Sequence, residues 1–192
     1  MADKIKILAI SGSTRKSSSN LSLIKAITNL TAEIFTVKIF EGLVDLPHFN
    51  PDLDKGQEPE QVQNFKRELR AAEGLLICTP EYAIGVPGTL KNAVDWTVST
   101  MEFSQKPVAL VTASTSGYVA HQSLLGTLLI IEAKITEDSQ IVVSAVKTKV
   151  NEHSEITDGE TRSKIDRLVQ SLANMITGTV EQDYLPAPLL KF

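Results

Sequence analysis

Residues 11–20, in the order SGSTRKSSSN, gather five serines, a threonine, a glycine, an asparagine and two cations, Arg15 and Lys16. Side chains of these types at this density suit capture of an anion, because each hydroxyl donates to an oxygen and Arg15 supplies charge. The run follows the apolar stretch 5–10 and precedes NLSLIKAITNL, in which Leu21, Ile24, Ile27 and Leu30 fall on one face of a helix. It therefore occupies a strand-to-helix loop, where unpaired N–H groups and a partial positive charge stabilise an anion before any side chain contributes. A plainer reading makes SSSN an N-cap only. That accounts for one or two residues and leaves Arg15 and the remaining hydroxyls without a role.

The pattern excludes two nucleotide-binding chemistries. The residue five after Gly12 is Ser17 and no Gly-Lys-Ser follows, so the loop is not that of a nucleoside triphosphatase. The Gly-x-Gly-x-x-Gly dinucleotide fingerprint is also missing. Hydroxyls in place of glycines fit a terminal phosphate monoester better than a pyrophosphate, which needs close backbone approach. No Gly-x-Ser-x-Gly elbow lies between Gly12 and Gly85.

A second candidate segment, TPEYAIGVPGTLKNAVDW, spans residues 79–96. Pro80 turns the chain away from the preceding apolar run, Gly85 and Gly88 leave room for close backbone approach, and Pro87 starts a helix. Glu81 has two possible roles, as a general acid or as a loop carboxylate orienting Lys91 or a nearby N–H. Tyr82 either closes a pocket or packs. Lys91 and Asp95 stand four apart on the expected helix and can pair, with Trp96 in the core or an interface. His48, His121 and His153 have no metal-ligand spacing with Cys or acidic partners.

The elements that must position these loops alternate in type. Short runs rich in Val, Ile or Leu at 5–10, 34–40, 75–79, 108–113 and 141–144 read as strands. Helical spacing occupies the intervals, at residues 20–30, 60–73, 87–99, 120–134 and 162–176. Alternation of this kind predicts right-handed crossovers and a mostly parallel sheet covered on both faces, a doubly wound α/β domain over residues 1–192. NPDLDKGQEPEQ reads as a loop and VNEHSEITDGETR as an exposed acidic connection. The tail at 180–192 has an apolar end; it packs on the domain or a partner chain, or frays.

Composition narrows the class. With 42% hydrophobic and 22% charged residues the chain is an ordinary globular protein rather than a disordered one. No apolar run approaches a membrane span and the first ten residues lack a secretory signal, so a cytoplasmic location is expected. One cysteine, Cys78, agrees with a reducing compartment and reads as a small buried hydrophobe. A net charge of −4 without a basic stripe argues against nucleic acid as partner.

Taken together, the two loops resemble the NADPH-dependent FMN reductases, flavodoxin-like flavoproteins that include quinone and chromate reductases. The family's G-S-x-R-x-x-S-x-N falls on Gly12, Ser13, Arg15, Ser18 and Asn20. Its P-E-Y-x-x-x-x-P-G-x-L-K-N-A-x-D-W falls on Pro80, Glu81, Tyr82, Pro87, Gly88, Leu90, Lys91, Asn92, Ala93, Asp95 and Trp96. LPHFNPDLD resembles L-P-x-[FY]-N-x-D between them.

The resemblance implies a flavodoxin-like five-stranded parallel sheet of order 2-1-3-4-5, and FMN held by three loops. The first holds the phosphate through Ser11, Ser13, Arg15, Ser18, Ser19, Asn20 and Leu21. The second offers backbone to the isoalloxazine at Pro80, Glu81, Tyr82, Ala83 and Ile84, and the third contributes Ser114, Ser116 and Gly117. It further implies NADPH or NADH as donor, a quinone, free flavin or oxidised ion as small-molecule acceptor, and a homodimer or homotetramer. The flavin carries the chemistry, so no side chain is assigned as an obligatory acid or base. An electron carrier of flavodoxin type and a flavin-binding protein without turnover are the rival readings. Two features depart from the family pattern: Ala83 stands where many members have Asn, and Tyr118, Val119 and Ala120 stand around the expected Gly and Arg positions of a G-G-x-R-A third loop.

Overall fold

A computed structural model describes residues 3–54 and 56–188. Five strands, β1 (Ile5–Ser11), β2 (Phe35–Phe40), β3 (Gly74–Thr79), β4 (Val108–Ala113) and β5 (Gln140–Val143), alternate with five helices. The helices are α1 (Ser19–Leu30), α2 (Glu60–Ala71), α3 (Gly88–Asp95), α4 (Tyr118–Ile130) and α5 (Gly159–Thr177). All strand pairs are parallel, in the order β2-β1-β3-β4-β5.

Every residue of β3 and β4 is buried, as central strands covered on both faces must be. One face packs on Val62, Phe65 and Leu69 of α2, Leu90 and Val94 of α3, and Leu124 and Leu128 of α4. The other packs on Leu23, Ile24 and Ile27 of α1 and Ile165, Leu168 and Leu172 of α5. Each such side chain contributes about 2 kcal/mol by leaving water. The crossovers bring the carboxyl ends of β1, β3 and β4, and the loops that follow them, to one edge.

Long-range contacts explain why the middle motifs occur together. Asn92 Nδ2 and Trp96 Nε1 both donate to the Pro47 carbonyl, at 2.9 and 2.8 Å, and Asn92 Oδ1 accepts from the Phe49 N–H at 2.7 Å. Phe49 meets the Trp96 ring edge-on at 5.1 Å. LPHFN and KNAVDW are thus two halves of one joint that seats α3. α3 ends at Asp95, short of the expected Ser99, and the chain continues in turns beyond its cap, Trp96. Lys66, buried in the sheet-facing side of α2, lies 3.2 Å from both Asp54 and Glu58 and ties down the loop before that helix.

The described part of the tail packs on its own chain. The Leu185 N–H donates to the Ile135 carbonyl at 2.8 Å, and Tyr184 bridges Thr136. Its apolar end at 189–192 lies outside the described residues. Among the described residues no helix is long and apolar enough to cross a membrane.

Candidate functional site

Beyond the carboxyl ends of β1, β3, β4 and β5 lies a cavity of about 520 Å³. Its size falls within the usual range for a cofactor pocket, roughly 300–1,000 Å³. A second cavity, of about 550 Å³, lies between α5 and the tail and contains none of the motif residues.

The first wall is the strand-to-helix loop. β1 approaches β3 so closely that a Cβ on Gly12 would stand 2.2 Å from Thr79 Oγ1, which is why glycine occupies that position. Ser11 spends its hydroxyl inside the turn, donating to the Ser13 carbonyl at 3.1 Å. Ser18 caps α1, its Oγ accepting from the Asn20 N–H at 3.2 Å. The capping reading is therefore right for Ser18, and residues 16–17 form a hydrogen-bonded turn that leads into the cap. Ser13, Arg15, Ser17, Ser18, Ser19 and Asn20 together line the cavity. Arg15 has no carboxylate partner among the described residues.

Asn20 reaches the cavity wall while its amide works behind it. Nδ2 donates to the Ala113 carbonyl at 3.0 Å, and Oδ1 accepts from the Cys78 thiol at 3.2 Å. This clamp joins the first loop to the ends of β3 and β4. Cys78 is buried, as expected, and burial pushes its thiol well above the ordinary value; it also serves as a hydrogen-bond donor, which its reading as a hydrophobe missed.

The second wall is Pro80, Glu81 and Tyr82. Residues 82–85 form a tight reversal: Tyr82 and Gly85 exchange two backbone hydrogen bonds of 3.0 Å around Ala83 and Ile84. Both central residues are left-handed, with φ of 47° and 60°, a conformation strained for alanine and more so for a β-branched side chain. Asn tolerates that region well, which gives the family's Asn at this position a backbone rationale. Gly88 owes nothing to packing, since an added Cβ there would meet nothing within 4 Å. The Tyr82 hydroxyl lies 3.3 Å from Ser13 Oγ and links the first two loops.

Glu81 is not aimed at the cavity as a proton donor. Its carboxylate accepts from the Ala120 N–H at 2.9 Å and the Gly117 N–H at 3.3 Å, capping α4 from a distant loop. Donation from Ala120, with lesser help from Gly117 and Val119, holds its carboxyl below the ordinary value against the opposing effect of burial. Of its two possible roles, orientation is the one observed, toward α4 rather than Lys91; Lys91 pairs with Asp95 as its spacing predicts.

The third wall is Ala113, Ser114 and Thr115, and a fourth, not read from the sequence, is the turn at Ala145, Val146, Lys147 and Thr148. Gly117, at φ 101°, starts α4. Of the sequence-derived candidates, Ser11, Leu21, Ala83, Ile84, Ser116 and Gly117 lie off the cavity wall, while the other nine line it. No signal in SAVKT marks Lys147 as part of a site. Among the described residues no three His, Cys, Asp or Glu side chains converge as a metal would require.

These features suit FMN: Arg15, hydroxyls and a helix start line one wall, and Pro80, Glu81 and Tyr82 line another. Comparisons with known proteins agree. The model of the NADPH-dependent FMN reductase family matches residues 5–148. An NAD(P)H-dependent FMN reductase of Pseudomonas aeruginosa is 30% identical over 177 residues, covering 90% of this chain and 95% of that protein. A quinone reductase of Pseudomonas putida is 27% identical over 184 residues, covering 92% and 97%. In fold, the chain resembles FerB, a flavoenzyme NAD(P)H:(acceptor) oxidoreductase from Paracoccus denitrificans, with a TM-score of 0.75, 24% identity and coverage of 91% and 98%. The chain belongs to the NADPH-dependent FMN reductase family and is an oxidoreductase of that flavodoxin-like class.

Proposed function

We propose that FMN occupies the cavity beyond the carboxyl ends of the strands, with its phosphate on residues 13–20 and its ring against the backbone of residues 80–84. The observation that carries this reading is one cavity lined by Arg15 and by Ser17, Ser18, Ser19 and Asn20 at the start of α1. When bound, FMN supplies the redox chemistry, taking two electrons from NAD(P)H and passing them to a quinone or a free flavin.

The chain's own residues bind and orient. The start of α1 and Arg15 stabilise the phosphate charge, and the Asn20 clamp sets that loop against β3 and β4. Glu81 keeps α4 and the third loop in register with the second. Because Glu81 is ionised and committed to α4, no acid or base is assigned on the cavity wall. In this reading the nicotinamide and the acceptor use the same open side of the cavity in turn.

The whole chain acts in this reading as a single FMN-binding domain in the cytoplasm, consistent with its lone thiol. Exposed Ile84, Tyr118 and Val119 beside the second and third loops supply apolar surface for a homodimer or homotetramer. Initial rates measured over a grid of NADPH and quinone concentrations test the shared open side. Parallel double-reciprocal lines are expected. Lines that intersect require both substrates at once and overturn the reading.

A further inference from the structure

We infer that Lys147 is a second cation for the flavin phosphate, facing Arg15 across the cavity; this rests on the assignment of FMN to that cavity. Lys147 belongs to the short 3-10 turn Val146–Thr148 that follows β5, and its side chain lines the cavity. The turn is held in place from several directions. The Ala145 and Val146 N–H groups donate to the Thr115 and Ser114 carbonyls, each at 3.2 Å. Ser144 Oγ donates to the Ser116 carbonyl at 2.9 Å, and Thr148 Oγ1 to that of Ala145 at 2.9 Å. Ala145 itself is left-handed, with φ of 52°, a cost that persists only where the surroundings fix the chain.

Position selects the phosphate end. Val146 is buried in the same core as Leu23 and Ile24 of α1, so the turn and the start of α1 stand on one side of the sheet. Lys147 thus shares the cavity with Ser17, Ser18 and Ser19 on that side of the sheet.

Charge gives the same answer. Arg15 and Lys147 are among the cations that pair with no carboxylate among the described residues, and they are the two that line this cavity. The cavity wall's one carboxylate, Glu81, is engaged by the α4 N–H groups. Two uncompensated cations and a helix start match a phosphate monoester, which carries about −1.5 to −2 charges at neutral pH. A lysine suits this role as a mobile point charge.

The test is titration of the flavin-free protein with FMN and with riboflavin, followed by flavin fluorescence, for wild type, Lys147→Ala, Lys147→Arg and Arg15→Ala. Lys147→Ala is expected to weaken FMN about tenfold and leave riboflavin unchanged, with Lys147→Arg close to wild type. FMN affinity unchanged in Lys147→Ala, or FMN and riboflavin weakened equally, overturns the assignment. So does a variant whose FMN affinity holds while its KM for NADPH rises, which would give Lys147 to the dinucleotide. A wild-type protein that binds riboflavin as tightly as FMN would instead remove the phosphate reading itself, separately from any effect at Lys147.

Discussion

The first and second loops of the cavity meet through Tyr82 and Ser13, yet they are built on opposite principles. Residues 11–20 contain no positive φ and lead into an ordinary helix start capped by Ser18. The reversal at 82–85 places two non-glycine residues in the left-handed region, at about 1–2 kcal/mol each, and holds them with backbone hydrogen bonds. An anion needs donors and charge, which relaxed backbone provides. The reversal beside the cavity is instead maintained against local preference.

The largest effect is expected where the relaxed loop meets the sheet. Gly12→Ala forces a Cβ against the Thr79 side chain and should cost about 3 kcal/mol in urea denaturation, by separating β1 from β3. A midpoint like that of wild type would remove packing as the reason for glycine there. Next is the clamp behind the loop. Cys78→Ala strips the donor from Asn20 Oδ1, on a side chain only 4% exposed, and should cost about 1–2 kcal/mol, with Cys78→Ser recovering most of it. Equal losses in the two variants would show that shape, not the hydrogen bond, matters.

The strained turn should respond with the opposite sign. Ile84 is 72% exposed, so Ile84→Gly surrenders little packing and relieves its φ of 60°; thermal denaturation should show a gain of about 1 kcal/mol. A loss would mean the turn carries no strain. The smallest effect concerns pH. The folded Glu81 carboxyl lies below its ordinary value of 4.5, so its contribution is complete above that pH and fades as pH falls through the folded value. Glu81→Gln should therefore lower Tm at neutral pH, with the gap closing in acid; a constant gap would detach Glu81's charge from α4.

Much of the architecture was legible because it depends on local pattern. β3 and β4 are uninterrupted apolar runs, and Val62, Phe65 and Leu69 repeat at helical spacing; both follow from burial alone. Boundaries that depend on distant partners were not legible. α5 begins at Gly159 rather than Arg162, because Asp158, hidden in an acidic run, caps it through Thr161 at 2.8 Å. α4 begins at Tyr118 rather than Ala120, because Glu81 supplies acceptors from another loop. The same limit applies to the site. Its hydroxyl-rich first loop was visible as composition, but Lys147 enters only through the order of strands. Motif membership led Asn20 to be read for the ligand, while its amide is also spent on Ala113 and Cys78.

The most direct test of the account is the visible absorbance spectrum of the protein loaded with FMN, recorded anaerobically before and after NADPH. The account predicts bound flavin bands that bleach on addition and return when quinone is supplied. Bands that persist with NADPH would contradict it, leaving a flavin-binding protein or an electron carrier in place of a reductase.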